Sequence, residues 1–143
     1  MRGSVRSLDD DSRIATLRHL LPGIELVAAD LRHEAGWEEA LAGSQWVFHV
    51  ARPQAVKSER DRTGGAISGT KYLLAAAFAQ ASVRKIVVTS SEAAIAYGHP
   101  RSKLRFDESD WTHLDAVGKA ADYFRSKTLA ERPAIVCGRR GLA

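Results

Sequence analysis

The sequence predicts an α/β fold, a Rossmann-like doubly wound parallel sheet that is incomplete. Three observations predict it. Short apolar strands alternate with helical stretches from one end of the chain to the other. The strands are apolar without strict alternation, the pattern of a parallel sheet covered by helices on both faces. The chain shows no internal repeat and no low-complexity segment, so one packed domain spans residues 1–143.

The elements follow in order. Arg2–Val5 reads as a short strand entering a polar turn. Asp9–Ser12 offers helix-capping side chains, and Ile14, Leu17, Leu20 and Leu21 follow at helical spacing until Pro22–Gly23 stops them. Ile24–Asp30 is an apolar strand ending in an acid. Glu34–Gly43 is a short helix with Trp37, Ala40 and Leu41 inward, and Gln45–Ala51 is the next strand. Arg52–Gly65 is polar and reads as a loop, with Gly64 and Gly65 as loop residues and Gly69 near the helix start. From Ala66, the residues Ile67, Thr70, Leu73, Leu74, Ala77 and Phe78 form a helical stripe. Arg84–Ser91 is the strongest strand signal. A loop rich in His, Pro and acids leads to a last helix over Ala120 to about Val136, disturbed by Pro133.

Composition narrows the function classes. The 143 residues are 45% apolar and 27% charged, and carry a formal charge of +4. The basic residues are interspersed with acids, so no nucleic-acid partner is expected. A single Cys137 forms no internal disulfide, and the five histidines show no metal-ligand spacing. No apolar run approaches the roughly 20 residues of a membrane span, and no secretory leader pattern is seen, so a cytoplasmic setting is expected. The acids Asp107, Glu108 and Asp110 read as turn and cap residues, and Trp37 and Trp46 as core.

Chemistry concentrates at the carboxyl ends of the strands, where open parallel sheets bind ligands. Tyr123 and Lys127 are four residues apart on a helix and share a face. An ammonium held beside a phenol stabilises its phenolate, which suits the phenol to proton transfer. Ser91, at the tip of the strand in "TSS", brings a hydroxyl that can hold a reacting oxygen. Such a trio moves a proton on and off a carbinol oxygen while a cofactor moves the hydride. A Tyr-x-x-x-Lys alone is weak; after a strand ending in Thr-Ser-Ser, within a strand–helix series, it is specific.

With "AADLRHEAGWEEALAGSQWVFHVARP", "SGTKYLLAAAFAQASVRKIVVTSSEAAIAYG", "FDESDWT" and "YFRSKTLAE", the chain resembles the extended short-chain dehydrogenase/reductase superfamily, in its dihydroflavonol 4-reductase-like branch. The resemblance runs nearly end to end. It implies an NAD(P)-dependent oxidoreductase acting on a small-molecule ketone, aldehyde or alcohol. Tyr123 would be the acid/base, Lys127 its partner and a contact of the nicotinamide ribose, and Ser91 the third catalytic group. Asp30 and Leu31 would meet the adenine, and Val50, Ala51 and Pro53 the middle of the cofactor. Arg6 matches the arginine that contacts the 2′-phosphate in members preferring NADPH, which favours NADP over NAD. A homodimer through the helices bearing Leu73 and Tyr123 is a further implication.

The chain departs from that pattern in one large respect. The superfamily's G-x-x-G-x-x-G turn, whose backbone approaches the cofactor diphosphate, has no counterpart in these residues. The resemblance sets Met1 near the superfamily's second strand and Ala143 before its substrate lobe. In the strand order 3-2-1-4-5-6 the unmatched strand is central. The flanking strands are then expected to pair directly, leave a gap or expose apolar edges, with marginal stability and weak dinucleotide binding. Two other readings share the same residues: a nucleotide-sugar epimerase or dehydratase, and a non-catalytic fragment.

Overall fold

The computed structural model describes residues 1–52, 59–118 and 122–138. Their order is β1 (Arg2–Val5), α1 (Asp11–Leu20), β2 (Glu25–Ala28), α2 (Trp37–Leu41), β3 (Trp46–His49), α3 (Glu59–Ala79), β4 (Lys85–Val88), a 3₁₀ turn (Glu92–Ala94) and α4 (Asp122–Gly138). All strand pairing among them is parallel, as the sequence predicts. β1 pairs with β2, Arg2 opposite Glu25 through Val5 opposite Ala28. β3 pairs with β4, Trp46 opposite Lys85 through His49 opposite Val88.

The two pairs are separate two-stranded sheets, since β1 and β3 share no ladder among the described residues. Of the three outcomes expected for a missing central neighbour, the chain shows the gap, together with exposed apolar residues. What joins the two halves is side-chain packing. Val27, Ala29 and Leu31 from β2 and its end, Trp37, Ala40 and Leu41 from α2, Val47 from β3, and Leu73, Leu74, Ala76 and Ala77 from α3 form one buried cluster. Its burial is the main stabilising term for the arrangement.

Arg2 ties β1 to its neighbours in another way. Its guanidinium donates to the carbonyl oxygens of Glu39, Ala40 and Ala42 at 3.2, 3.3 and 2.6 Å, and pairs with Glu25 at 2.9 Å. The last carbonyls of a helix have no intrahelical donor, and a cation there also complements the helix dipole. One side chain thus fastens the end of α2 to β1 and β2.

Several local expectations are corrected. α3 begins at Glu59, so residues 59–65 are helical where a loop was expected, and Gly64, Gly65 and Gly69 lie inside the helix. Thr63 Oγ1 donates to the Asp122 carbonyl at 3.1 Å, and α3 packs along α4; this tertiary contact outweighs the helix cost of glycine. In α1, capped by Asp10, only Ile14 is buried, while Leu20 and Leu21 are exposed. Trp46 was expected in the core but is 58% exposed, whereas Trp37 is buried and donates its indole N–H to the His33 carbonyl.

The strands also differ from the two-face burial expected of them. Along β3 and the residue after it, burial alternates: Val47 and His49 are buried, while Trp46, Phe48 and Val50 are exposed. One sheet face therefore packs on helices and the other carries uncovered apolar side chains. α4 runs through Pro133 to Gly138, ending near the expected Val136 and continuing past the proline. Among the described residues no helix is long and apolar enough to cross a membrane.

Candidate active site

The carboxyl ends of β3 and β4 and the first turns of α4 meet at one place. Ser91 follows β4 in extended conformation (φ −157°) and caps the 3₁₀ turn, its Oγ accepting the Ala93 N–H at 3.2 Å. The Tyr123 hydroxyl donates to the same Oγ at 3.3 Å. Ser91 Oγ accepts from both, so its own proton is left to be donated outward. Lys127, one turn along α4, donates to the Thr89 carbonyl at 3.4 Å, a long bond that leaves the ammonium with donors to spare. The three residues singled out in the sequence are therefore neighbours. Tyr123 is 37% exposed, reachable by a ligand.

A recess beside them is lined by His49, Arg52, Thr70, Ser90, Lys127 and Glu131. His49 is buried, with Nε2 3.0 Å from Thr70 Oγ1; burial first, and the Lys127 charge second, hold its imidazole below its ordinary value of 6.5. The Arg52 guanidinium lies over the Tyr123 ring, 4.8 Å from its centroid. Ser90 donates to the Glu131 carboxylate. Sequence reasoning passed over Arg52 and Glu131; His49 was expected in the core or near the cofactor, but its contact with Thr70 was not foreseen. The spacing of Glu131 from Lys127 was visible, but its partner, 41 residues away, was not.

The other edge holds the residues expected to meet an adenine nucleotide. The Ala29 N–H donates to the Val5 carbonyl at 2.7 Å, which brings together the ends of β1 and β2, the first followed by Arg6 and the second by Ala29 and Asp30. Arg6 is exposed. Asp30 accepts from Arg32 Nε at 3.1 and 3.0 Å, and this bonding holds its carboxyl below the usual 3.8. Arg32, unremarked in the sequence, thus adds a second guanidinium here. Leu31 is buried, its side chain turned onto Gly69 of α3, where an added Cβ would stand 2.5 Å from Leu31 Cδ2. Val50 and Ala51 are exposed after β3, and Pro53 lies outside the described residues.

The remaining motif residues are structural. Asp107 Oδ1 accepts the Ser109 N–H at 2.8 Å, and Asp110 pairs with Lys103 at 2.6 Å, so the "FDESDWT" acids build a turn. Trp111 lies under the Arg132 guanidinium. Tyr97 stacks on Phe124, with centroids 4.0 Å apart, packing the loop after the 3₁₀ turn on α4.

A parallel α/β framework with a serine, a tyrosine and a lysine gathered at its strand ends defines a short-chain dehydrogenase/reductase type of protein. Comparison with known sequences narrows the class. The chain belongs to the 3-beta hydroxysteroid dehydrogenase/isomerase family, whose pattern matches residues 3–138. It is 33% identical over 141 residues to an anthocyanidin reductase ((2S)-flavan-3-ol-forming) of Vitis vinifera, covering 92% of this chain and 42% of that protein. It is 33% identical over 138 residues to a dihydroflavonol 4-reductase of Gerbera hybrida, covering 87% and 37%. The chain thus spans about two fifths of the length of these relatives. Among solved structures, vestitone reductase from alfalfa (Medicago sativa) superposes with a TM-score of 0.74 at 26% identity, over 97% of this chain and 44% of that one. A short-chain dehydrogenase/reductase superfamily protein from Agrobacterium tumefaciens with bound NAD shares the fold, with a TM-score of 0.67 at 22% identity over 99% and 45%.

Proposed function

We propose that this chain carries the acid–base groups and the nicotinamide-end contacts of an NAD(P)-dependent reductase acting on a ketone or aldehyde, or on the corresponding alcohol. The observation that carries the reading is the 3.3 Å contact of Tyr123 Oη with Ser91 Oγ, with Lys127 one turn away on the same helix. The reductase names of the relatives, and the NAD held by a protein of the same fold, support it.

The residues present fit parts of a nicotinamide dinucleotide at both its ends. Lys127 and Arg52 offer donors to a sugar or an anionic group, and Val50 and Ala51 an apolar edge at the end of β3. Arg6 after β1 and Arg32, which pairs with Asp30, are guanidinium groups that suit a 2′-phosphate, so NADP is the preferred form. Pro53 completes the set by sequence. The 143 residues contain no G-x-x-G-x-x-G turn for the diphosphate, so affinity is expected to be weak.

The cofactor would supply the hydride. The Ser91 O–H would donate a hydrogen bond to the carbonyl oxygen and fix it, keeping its proton. Tyr123 gives its phenolic proton to that oxygen as charge develops there, and Lys127 stabilises the resulting phenolate. In the reverse direction Tyr123 accepts the alcohol proton. Any pairing of copies would use faces of α3 and α4 other than Leu73, which is buried within the chain.

The test is NADPH oxidation with aromatic aldehydes and ketones. Tyr123→Phe is expected to lower the rate by about 10²–10⁴-fold. Turnover unchanged in Tyr123→Phe would contradict the acid–base role of Tyr123, and no turnover with the unaltered chain would leave the non-catalytic reading in its place.

A further inference from the structure

His49 is 6% exposed on β3, its ring against Thr70 of α3. Nε2 lies 3.0 Å from Thr70 Oγ1, and the same Oγ1 lies 2.9 Å from the Ala66 carbonyl oxygen. A hydroxyl has one proton to give, and a carbonyl oxygen can only accept. If the Thr70 proton goes to Ala66, the bond to His49 must run the other way, from Nε2–H to Oγ1. Both contacts are made at once only in that arrangement. A neutral imidazole protonated on Nε2 keeps its lone pair on Nδ1. Burial favours the neutral ring, and the nearby Lys127 ammonium favours a lone pair over a second N–H.

The recess that His49 lines has two cationic donors, Arg52 and Lys127, and one charged acceptor, Glu131, whose Oε2 is engaged by Ser90. Donors alone would hold any anion. A group that both accepts and donates, such as a sugar diol or a carboxamide, needs an acceptor beside them.

We infer that Thr70 holds His49 as the Nε2–H tautomer, so that Nδ1 serves the recess as the acceptor for a hydroxyl or amide N–H of the bound ligand. This rests on the dinucleotide-binding reading above and adds a specificity-determining residue to it. Lys127 and Arg52 then recognise oxygen atoms, and His49 recognises a donor, which selects a sugar-bearing ligand over a bare phosphate.

Long-range ¹⁵N–¹H NMR of the labelled chain at neutral pH reads the protonated ring nitrogen directly. The expected result is Nε2–H for His49, with the single tautomer lost in Thr70→Val. An Nδ1–H ring, or an even mixture in the unaltered chain, would overturn the inference. NADPH is expected to shift the Nδ1 signal and inorganic diphosphate to leave it in place; an equal response to both would also overturn it. His49→Leu is expected to weaken NADPH binding roughly tenfold, the loss of about one hydrogen bond, and His49→Asn, which keeps an acceptor, by less. Equal losses in the two variants would count against the acceptor role. If the unaltered chain binds no NADPH, the reductase reading fails, and the tautomer spectrum still decides whether Thr70 sets the His49 ring.

Discussion

Tyr123 Oη and Ser91 Oγ lie 3.3 Å apart although 32 residues separate them in sequence. Ser91 holds the end of β4 and the 3₁₀ turn, and Tyr123 stands on the first turn of α4. Their contact therefore fixes where the helix begins relative to the sheet, and it puts a proton donor at the strand tip. The two side chains differ in what else they hold, since Ser91 also caps the 3₁₀ turn.

That difference predicts different stability costs. Ser91→Ala loses an acceptor for the Ala93 N–H as well as for Tyr123. It is expected to destabilise the fold by about 1 kcal/mol. Tyr123→Phe loses one partly exposed bond and is expected to cost less than half of that. Urea denaturation of the two variants beside the unaltered chain measures the difference; equal costs would contradict the capping role.

His49 predicts a pH dependence. Its folded value is depressed below 6.5, so the unfolded chain binds a proton more readily than the folded one. Stability from this group is full above the unfolded value and falls as pH drops below it towards the folded value. Thermal melts between about pH 7.5 and 5 should show a decline that flattens in His49→Asn. A decline of the same slope in the variant would assign it to other groups.

Two glycines of α3 predict opposite signs. Gly64 has nothing within 4 Å of where a Cβ would stand, so Gly64→Ala gains helix propensity and should stabilise by roughly 0.5–1 kcal/mol. A Cβ at Gly69 would meet Leu31 atoms at 2.5, 2.6 and 2.9 Å, one of them backbone oxygen. Gly69→Ala should destabilise by about 1–3 kcal/mol. Thermal denaturation of both checks the pair, and a shared sign would contradict the close approach of α3 to Leu31.

The uncovered strand face predicts self-association. Trp46, Phe48 and Val50 are 58, 67 and 68% exposed, an apolar patch on an open sheet. Phe48→Lys should leave the circular dichroism spectrum unchanged and reduce aggregation measured by light scattering. Undiminished aggregation would place the association elsewhere.

Local periodicity made much of this molecule legible. The Tyr123–Lys127 spacing, the Thr-Ser-Ser strand end and the apolar runs at Leu26, Val47 and Val87 announced a parallel α/β site, because each signal lies within one element. The start of α3 was missed because Gly64 and Gly65 read as breakers, and only the Thr63–Asp122 contact across elements shows why they do not act as such. Trp46 misled because an apolar strand residue implies a covered face, and whether a helix covers it is a tertiary fact. Arg52 over Tyr123 and Glu131 with Ser90 join residues with no local pattern between them.

The most direct measurement is an NMR titration of the ¹⁵N-labelled chain with NADPH into the millimolar range, where weak binding is still seen. The account predicts shifts that converge on Thr89–Ser91, Val50–Arg52, Tyr123 and Lys127, with much smaller shifts in Lys127→Ala. No shift at those residues, or shifts confined to another surface, would contradict it.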